Sequence, residues 1–352
     1  MTKKHKILWA VLGVALIAAS IPAFVVIRKY VDNRMSNFTK MSEIFVYPDM
    51  DVEEILAHID TTAGVIRKGS LHRAFKAEFR DSLPKPGHYT ISEGNSSRYV
   101  ARMINHSWQT PVRMVLSGAI RHKHSIATKI SRQMLVDSAT VMDALNDSVL
   151  LSRFGFNPEN VFGLIIPDTY EILWTASIEE ILQVQKKALD AFWTDENLAK
   201  AEVQNLTPEE VAIVASIVRG ESNYVPEYPK IAGVYLNRLK KGMKLQADPT
   251  IAFCYGYTLN RILKKHLKVD SPYNTYLHEG LPPAPIYAPG KDAMNAVLNP
   301  EGSDNLFFCA DPSFNGSHRF AKTYSEHLKN AREFQRALNA RIKERRAQKN
   351  SL

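Results

Sequence analysis

The chain has 352 residues, with 45 Lys or Arg against 36 Asp or Glu and a formal net charge of +9, and its length exceeds one ordinary domain. Ten Lys or Arg between Arg319 and Leu352, against Glu326, Glu333 and Glu344, carry most of that excess. The remainder is close to neutral, so no nucleic-acid partner is expected, and the two cysteines, Cys254 and Cys309, are too few for a metal site. They form either one disulfide or two buried free thiols.

The N-terminus reads Lys3-Lys-His-Lys6, then an uncharged stretch from Ile7 to Ile27, then Arg28-Lys29. That length matches the hydrocarbon core of a bilayer and predicts a transmembrane helix over 7–27. The lysine-rich tail, 1–6, is assigned to the cytoplasm and the rest of the chain to the far side of the membrane. A cleaved signal peptide is the competing reading, with Ser20-Ile-Pro-Ala23 as the cleavage site. Residues 28–42 read as a polar stalk.

From 43 to 134 three β-prone runs, Ile44–Tyr47, His88–Ile91 and Met114–Leu116, each precede a helical run, namely Val52–Ile59, Tyr99–Ile104 and Ile126–Ile130. This is an α+β pattern, irregular in spacing and therefore no true repeat. Residues 135–203 are predicted mainly helical, interrupted at Gly163–Tyr170, and 204–352 read as a second domain.

Thr207-Pro-Glu-Glu210 is a capping box with Pro at the first helical position, so a helix starts at Pro208. Val214, Ile217, Val218 and Glu221 share one face of it. A carboxylate at the end of an apolar stripe is desolvated and its pKa rises, as a general acid requires. The plainer alternative ends the helix at Gly220 and leaves Glu221 in an exposed loop. A second helix covers Lys230–Lys240, capped by Gly242. The following loop, Met243–Thr250, can turn Gln246 and Asp248 toward a shared groove. Tyr273, Asn274 and Tyr276 stand in the next loops, Ser271–Tyr276 and Gly280–Ile286. Rings that stack on a pyranose face and amides that read hydroxyls suit a sugar.

Arg121-His-Lys-His124 is a poor cation site, since its basic neighbours oppose a metal and no third ligand is near. His318 and His327 are assigned a structural or supporting role. The C-terminal basic segment reads as a helix with Leu328, Ala331, Phe334, Leu338 and Ile342 inward.

Four long motifs occur in order: ASIVxxE at Ala215–Glu221, NRLxxGMxLQxDPT at Asn237–Thr250, SPYNTYxxxGLPPxPIxxPG at Ser271–Gly290, and LFFxADxxxxGxHxF with a later EH at Leu306–His327. Together they resemble the MltG-type (YceG-like) endolytic lytic murein transglycosylases. Lys85–Ile91 and Ile166–Tyr170 extend the resemblance more weakly toward the N-terminus. It implies a LysM-like α+β subdomain at 43–134 and a mixed α/β catalytic domain with a substrate groove. It also implies cleavage of the MurNAc–GlcNAc β-1,4 bond of nascent peptidoglycan strands without water, leaving 1,6-anhydroMurNAc ends and terminating glycan elongation. Glu221 is then the catalytic acid and base, and Asn237, Gln246, Asp248, Tyr273, Asn274 and Tyr276 are substrate-binding. No cofactor or metal is implied. The implied partners are glycan strands and the peptidoglycan synthases (penicillin-binding proteins), with the chain held in the inner membrane by one helix and its catalytic region in the periplasm. The family usually carries two acids as ExE; here Arg219 occupies the first place. A catalytically silent wall-binding scaffold is one competing reading. A water-using muramidase is another, and it needs a second carboxylate, for which Glu227, Asp248 and Asp270 are available.

Overall fold

The computed structural model describes residues 3–350; the first two residues of the expected cytoplasmic tail and residues 351–352 lie outside it. The fold is mixed α/β and divides into two compact units, residues 1–114 with 171–176, and residues 115–170 with 177–352.

The first unit begins with α1 (Lys3–Arg34), followed by β1 (Ser42–Val46), α2 (Val52–Thr62), α3 (Lys68–Glu78), β2 (Gly87–Ile91) and α4 (Ser97–Asn105). α1 is long and apolar enough over Val11–Arg34 to cross a membrane, and Leu12, Leu16, Phe24 and Val26 lie exposed along it. The stretch 28–42, expected as a stalk, is helical to Arg34 and then docks. Asp32 accepts from Ser70 Oγ at 2.6 Å and from Arg73 Nη2 at 2.7 Å. Buried Asn37 donates to Ser97 Oγ at 2.9 Å and accepts from the Arg67 backbone N–H at 2.8 Å. A buried amide needs such partners, so the chain stays against the unit there. β1 and β2 pair antiparallel with Ile44 opposite Tyr89. Alternation puts Ile44 and Val46 in the core and Phe45 outside. Ile55, Ile59, Leu71 and Phe75 bring α2 and α3 onto the same core.

The chain changes unit within β3 (Val112–Leu116), enters α5 (Lys123–Ser131), α6 (Ser138–Ala144) and α7 (Ser148–Ser152), and changes unit again within β4 (Asp168–Ile172). The second unit continues with α8 (Ile178–Phe192), α9 (Asp195–Val203), α10 (Pro208–Glu221), α11 (Tyr228–Lys240), α12 (Asp248–Cys254) and α13 (Gly290–Leu298). β5 (Phe307–Ala310), β6 (His318–Ala321) and α14 (Tyr324–Asn350) complete it. α10 is its central helix: every residue from Val211 to Val218 is buried, against α11, α12 and α13. A helix apolar all round belongs inside a core. β5 and β6 form an antiparallel hairpin on which α14 packs. Of the five residues expected inward on α14, Leu328, Ala331, Phe334 and Leu338 are half-buried, but Ile342 is 40% exposed. Four-residue strands reach roughly 13 Å, whereas a helix of this length runs roughly 40 Å, so the hairpin covers only its first part. Cys254 and Cys309 are free thiols.

Candidate active site

α10 starts where its capping box requires: Glu210 N–H donates to Thr207 Oγ1 at 3.2 Å and Thr207 N–H donates to the Glu210 carboxylate at 2.8 Å. It ends on Glu221, followed by extended Ser222. Glycine at 220 has a packing reason. A Cβ there would stand 2.7 Å from Pro249 Cβ, so only glycine lets the end of α10 approach the loop that carries Asp248. Within α10, buried Ser216 accepts the Ile286 backbone N–H at 3.1 Å, fixing the proline-rich loop to the same helix.

Glu221 is half-buried, and Tyr235 of α11 donates its hydroxyl to Glu221 Oε1 at 2.5 Å. Burial raises the Glu221 pKa to about 7; the Tyr235 hydrogen bond draws it down, the Asp248 charge pushes it up, and Arg238 draws it down again. Desolvation wins. The Tyr235 hydroxyl is itself pushed well above its ordinary value by burial and by Glu221, so it remains a donor. With Oε1 occupied, Oε2 is the oxygen left to carry and deliver a proton. Tyr276, likewise raised by burial and by Asp248, donates to Asp248 Oδ1 at 2.7 Å.

A cavity of about 340 Å³ is lined by Glu221, Tyr235, Arg238, Gln246, Asp248 and Tyr276, and by Phe308 and His318 of the hairpin. Three of the residues expected to bind substrate, Gln246, Asp248 and Tyr276, are therefore beside Glu221. Gln246 holds a left-handed backbone, φ 51°, with its N–H donated to Thr275 O at 3.0 Å.

The other three lie elsewhere. Asn274 is fully buried, donating to Leu267 O and Val269 O at 3.1 and 2.7 Å and accepting from Tyr276 N–H at 3.0 Å. It shapes the tyrosine loop and has no face for a sugar. Asn237 donates to Ser303 O and Asn305 O at 2.7 and 3.0 Å, tying α11 to the segment before β5. Tyr273 packs on Phe253 with ring centroids 4.6 Å apart and lines neither cavity that contains Glu221. Asn and Tyr in a loop signal a sugar site and a loop brace equally well, and these three stand outside both cavities that contain Glu221.

Sequence reasoning missed Tyr235 and Arg238. Tyr235 shares one helical face with Ile231 and Val234, a pattern that signals core as readily as a site. Arg238 is buried, donates to Leu306 O and Leu245 O at 2.7 Å each, and sits 5.2 Å from the Phe307 ring centre. His318 is aimed by buried Glu227, which accepts from the His318 backbone N–H and from Nδ1, both at 2.9 Å. That engagement removes Glu227 as a free second carboxylate. Asp270 lines neither cavity, so Asp248 alone among the three named carboxylates accompanies Glu221. His327 stacks on Phe307 at 5.5 Å, and burial with the Arg238 charge lowers its pKa.

Comparison with known proteins bears on this site directly. The sequence pattern of the YceG-like family matches residues 44–333. The chain belongs to the YceG-like family. A 2.6 Å crystal structure of a YceG-like protein from Listeria monocytogenes aligns with a TM-score of 0.55 at 25% identity, covering 82% of this chain and 98% of that one. Among named relatives, the endolytic murein transglycosylase of Bacillus subtilis (strain 168) is 33% identical over 211 residues, 57% of this chain and 58% of that protein. The endolytic murein transglycosylase of Streptococcus pneumoniae serotype 2 (strain D39) is 32% identical over 180 residues, 49% of this chain and 32% of that protein. The alignments thus span little more than half of the first relative and about a third of the second. In this YceG-like chain the charges that act most on the Glu221 pKa are those of Asp248 and Arg238. Arg219 lines a second cavity, of about 290 Å³, on which Glu221 and Asp248 also border.

Proposed function

We propose that this YceG-like protein is an endolytic murein transglycosylase, cutting the MurNAc–GlcNAc β-1,4 bond without water and ending glycan elongation. The observation that carries the reading is Glu221: a carboxyl with a pKa of about 7, one oxygen held by Tyr235, in a cavity that offers one further carboxylate. Protonated, it gives its proton to the glycosidic oxygen as the C1–O bond breaks, and GlcNAc leaves with a 4-hydroxyl. The resulting carboxylate is stabilised by the Tyr235 hydroxyl. It then takes the proton of the MurNAc C6 hydroxyl as O6 bonds to C1, which closes the 1,6-anhydro ring and restores the acid. One residue serves both steps because its pKa lies near the working pH. Asp248, oriented by Tyr276 in the same cavity, is the carboxylate available to stabilise the positive charge that develops at C1. Names of relatives in Bacillus subtilis and Streptococcus pneumoniae support the substrate class.

Asp248 is also what a water-using muramidase would employ as its second carboxylate, and this second reading predicts a different product. The anchor reading draws support from the exposed apolar surface of α1. It places α1 across the inner membrane, the catalytic region in the periplasm, and the site beside the synthases that make its substrate. The β1–α2–α3–β2 order with antiparallel strands supports a LysM-like, glycan-binding region within 43–134. The test of the catalytic assignment is Glu221→Gln on purified murein. The amide is nearly isosteric and carries no transferable proton, so cleavage falls by about 10²- to 10⁴-fold with the fold retained. Activity within a few-fold of wild type in a folded variant contradicts it.

A further inference from the structure

Glu221 and Asp248 border two cavities with different chemistry. One contains Tyr235, Tyr276 and Phe308 with Arg238, whose guanidinium is taken up by backbone carbonyls; the other contains two guanidinium groups, Arg121 and Arg219, beside Tyr257 and Tyr287. Among the described residues neither guanidinium has a carboxylate partner. Arg219 Nη1 donates to the Tyr228 hydroxyl at 2.7 Å, and Tyr228 donates onward to Ser222 O at 3.0 Å. Arg121 lies 5.2 Å from the Tyr257 ring centre, and Tyr257 is fixed by its hydroxyl bond to Ile286 O at 2.6 Å. The Ala288 N–H to Ile120 O bond, 3.0 Å, secures the backbone beside Arg121. Both arginines and Tyr287 line the same cavity, and burial raises the Tyr287 hydroxyl pKa against the smaller lowering by both charges.

Two pre-positioned guanidinium groups without an internal counter-charge are the arrangement that takes up a carboxylate, whose two oxygens match the planar fork. The acids on the rim do not cancel them. Glu221 has a pKa of about 7 and is far from fully charged near neutrality, which leaves the single charge of Asp248 against two guanidinium groups. Murein is a polymer in which every second sugar bears a lactyl-linked peptide with free carboxylates. We propose that the Arg121–Arg219 cavity is a subsite for a peptide carboxylate on the sugar beside the bond being cut. It makes the enzyme selective for strands that still carry their peptides. This deepens the transglycosylase reading and rests on it. It also gives Arg219 a function that the acid usual at that place could not perform.

The test compares kcat/KM of the full chain in detergent on murein strands with peptides and on the same strands stripped by an amidase. Wild type should prefer the peptide-bearing strands by about tenfold, the worth of one charge-assisted hydrogen bond. In the Arg121→Gln, Arg219→Gln double variant the preference should fall to within about twofold of unity, through KM, while Arg121→Lys retains part of it. Equal wild-type turnover of both strands overturns the inference and leaves the transglycosylase reading standing. So does a double variant, folded by thermal melting, that loses both substrates in equal proportion, because the arginines are then only braces for Tyr228 and Tyr257. Cleavage of neither strand by wild type sinks the underlying reading, and the subsite with it.

Discussion

At Glu221 a desolvated setting and an ionisable group are in conflict, and the conflict is useful. Burial raises its pKa from 4.5 to about 7, so the folded protein holds this proton more tightly than the unfolded chain does. The stability tied to that proton is complete below pH 4.5 and is lost as pH rises through 7, by roughly 3 kcal/mol at 1.36 kcal/mol per unit. Glu221→Gln escapes the loss. The variant should melt at a higher temperature than wild type at pH 8 and at the same temperature at pH 4; no difference at pH 8 argues against a destabilised carboxylate. Catalysis has the complementary dependence, since the acid form starts the reaction: kcat/KM should fall above pH 7 with the loss of one proton. Tyr235→Phe removes the hydrogen bond that lowers this pKa, so the falling limb of the profile should move to higher pH as kcat drops. A limb that stays in place, or moves down, would mean that Tyr235 does not act on Glu221.

At the scale of elements, the site is assembled from loops that brace one another. Thr275 accepts the Ala247 N–H at 3.0 Å and lies 2.9 Å from Thr250 Oγ1, so the tyrosine loop holds the Gln246–Asp248 loop in place, and Asn274 shapes the tyrosine loop. Asn274→Ala should therefore lower stability by about 1–3 kcal/mol, the cost of leaving buried partners unmet, while the folded fraction keeps most of its kcat. Denaturant melts with a kinetic ranking against Glu221→Gln check this; a loss of kcat as deep as that variant's, at unchanged stability, would return Asn274 to the substrate. Helix α10 and its terminal acid were legible from the sequence because capping chemistry and the 3.6-residue period are local. Ile44–Tyr47 and His88–Ile91 were legible for the same reason, and they became β1 and β2. Tyr235, Arg238 and the Glu227–His318 pair were not, because each owes its place to a partner at least seven residues away in the chain. Ser36 to Lys40 read as polar linker because Asn37 finds its partners only across 30 and 60 residues.

At the scale of the whole molecule, α1 as the proposed anchor would serve location, and none of its described residues lines either cavity that contains Glu221. A fragment starting at Arg28 keeps the Asp32 bonds to Ser70 and Arg73 and should cut murein in solution at a rate near that of the full chain. In cells it should replace the full protein poorly, because confinement to the membrane raises the effective concentration at new strands; full replacement at native expression would reduce α1 to an export signal. The central claim is that one carboxyl carries the proton both ways and that the attacking oxygen is the sugar's own. Mass spectrometry of murein fragments made in heavy-oxygen water tests it most directly. Strands should end in 1,6-anhydroMurNAc with no label at C1, whereas labelled reducing ends as the main product would contradict a single-carboxyl cycle and make Asp248 the partner of Glu221 in a hydrolase.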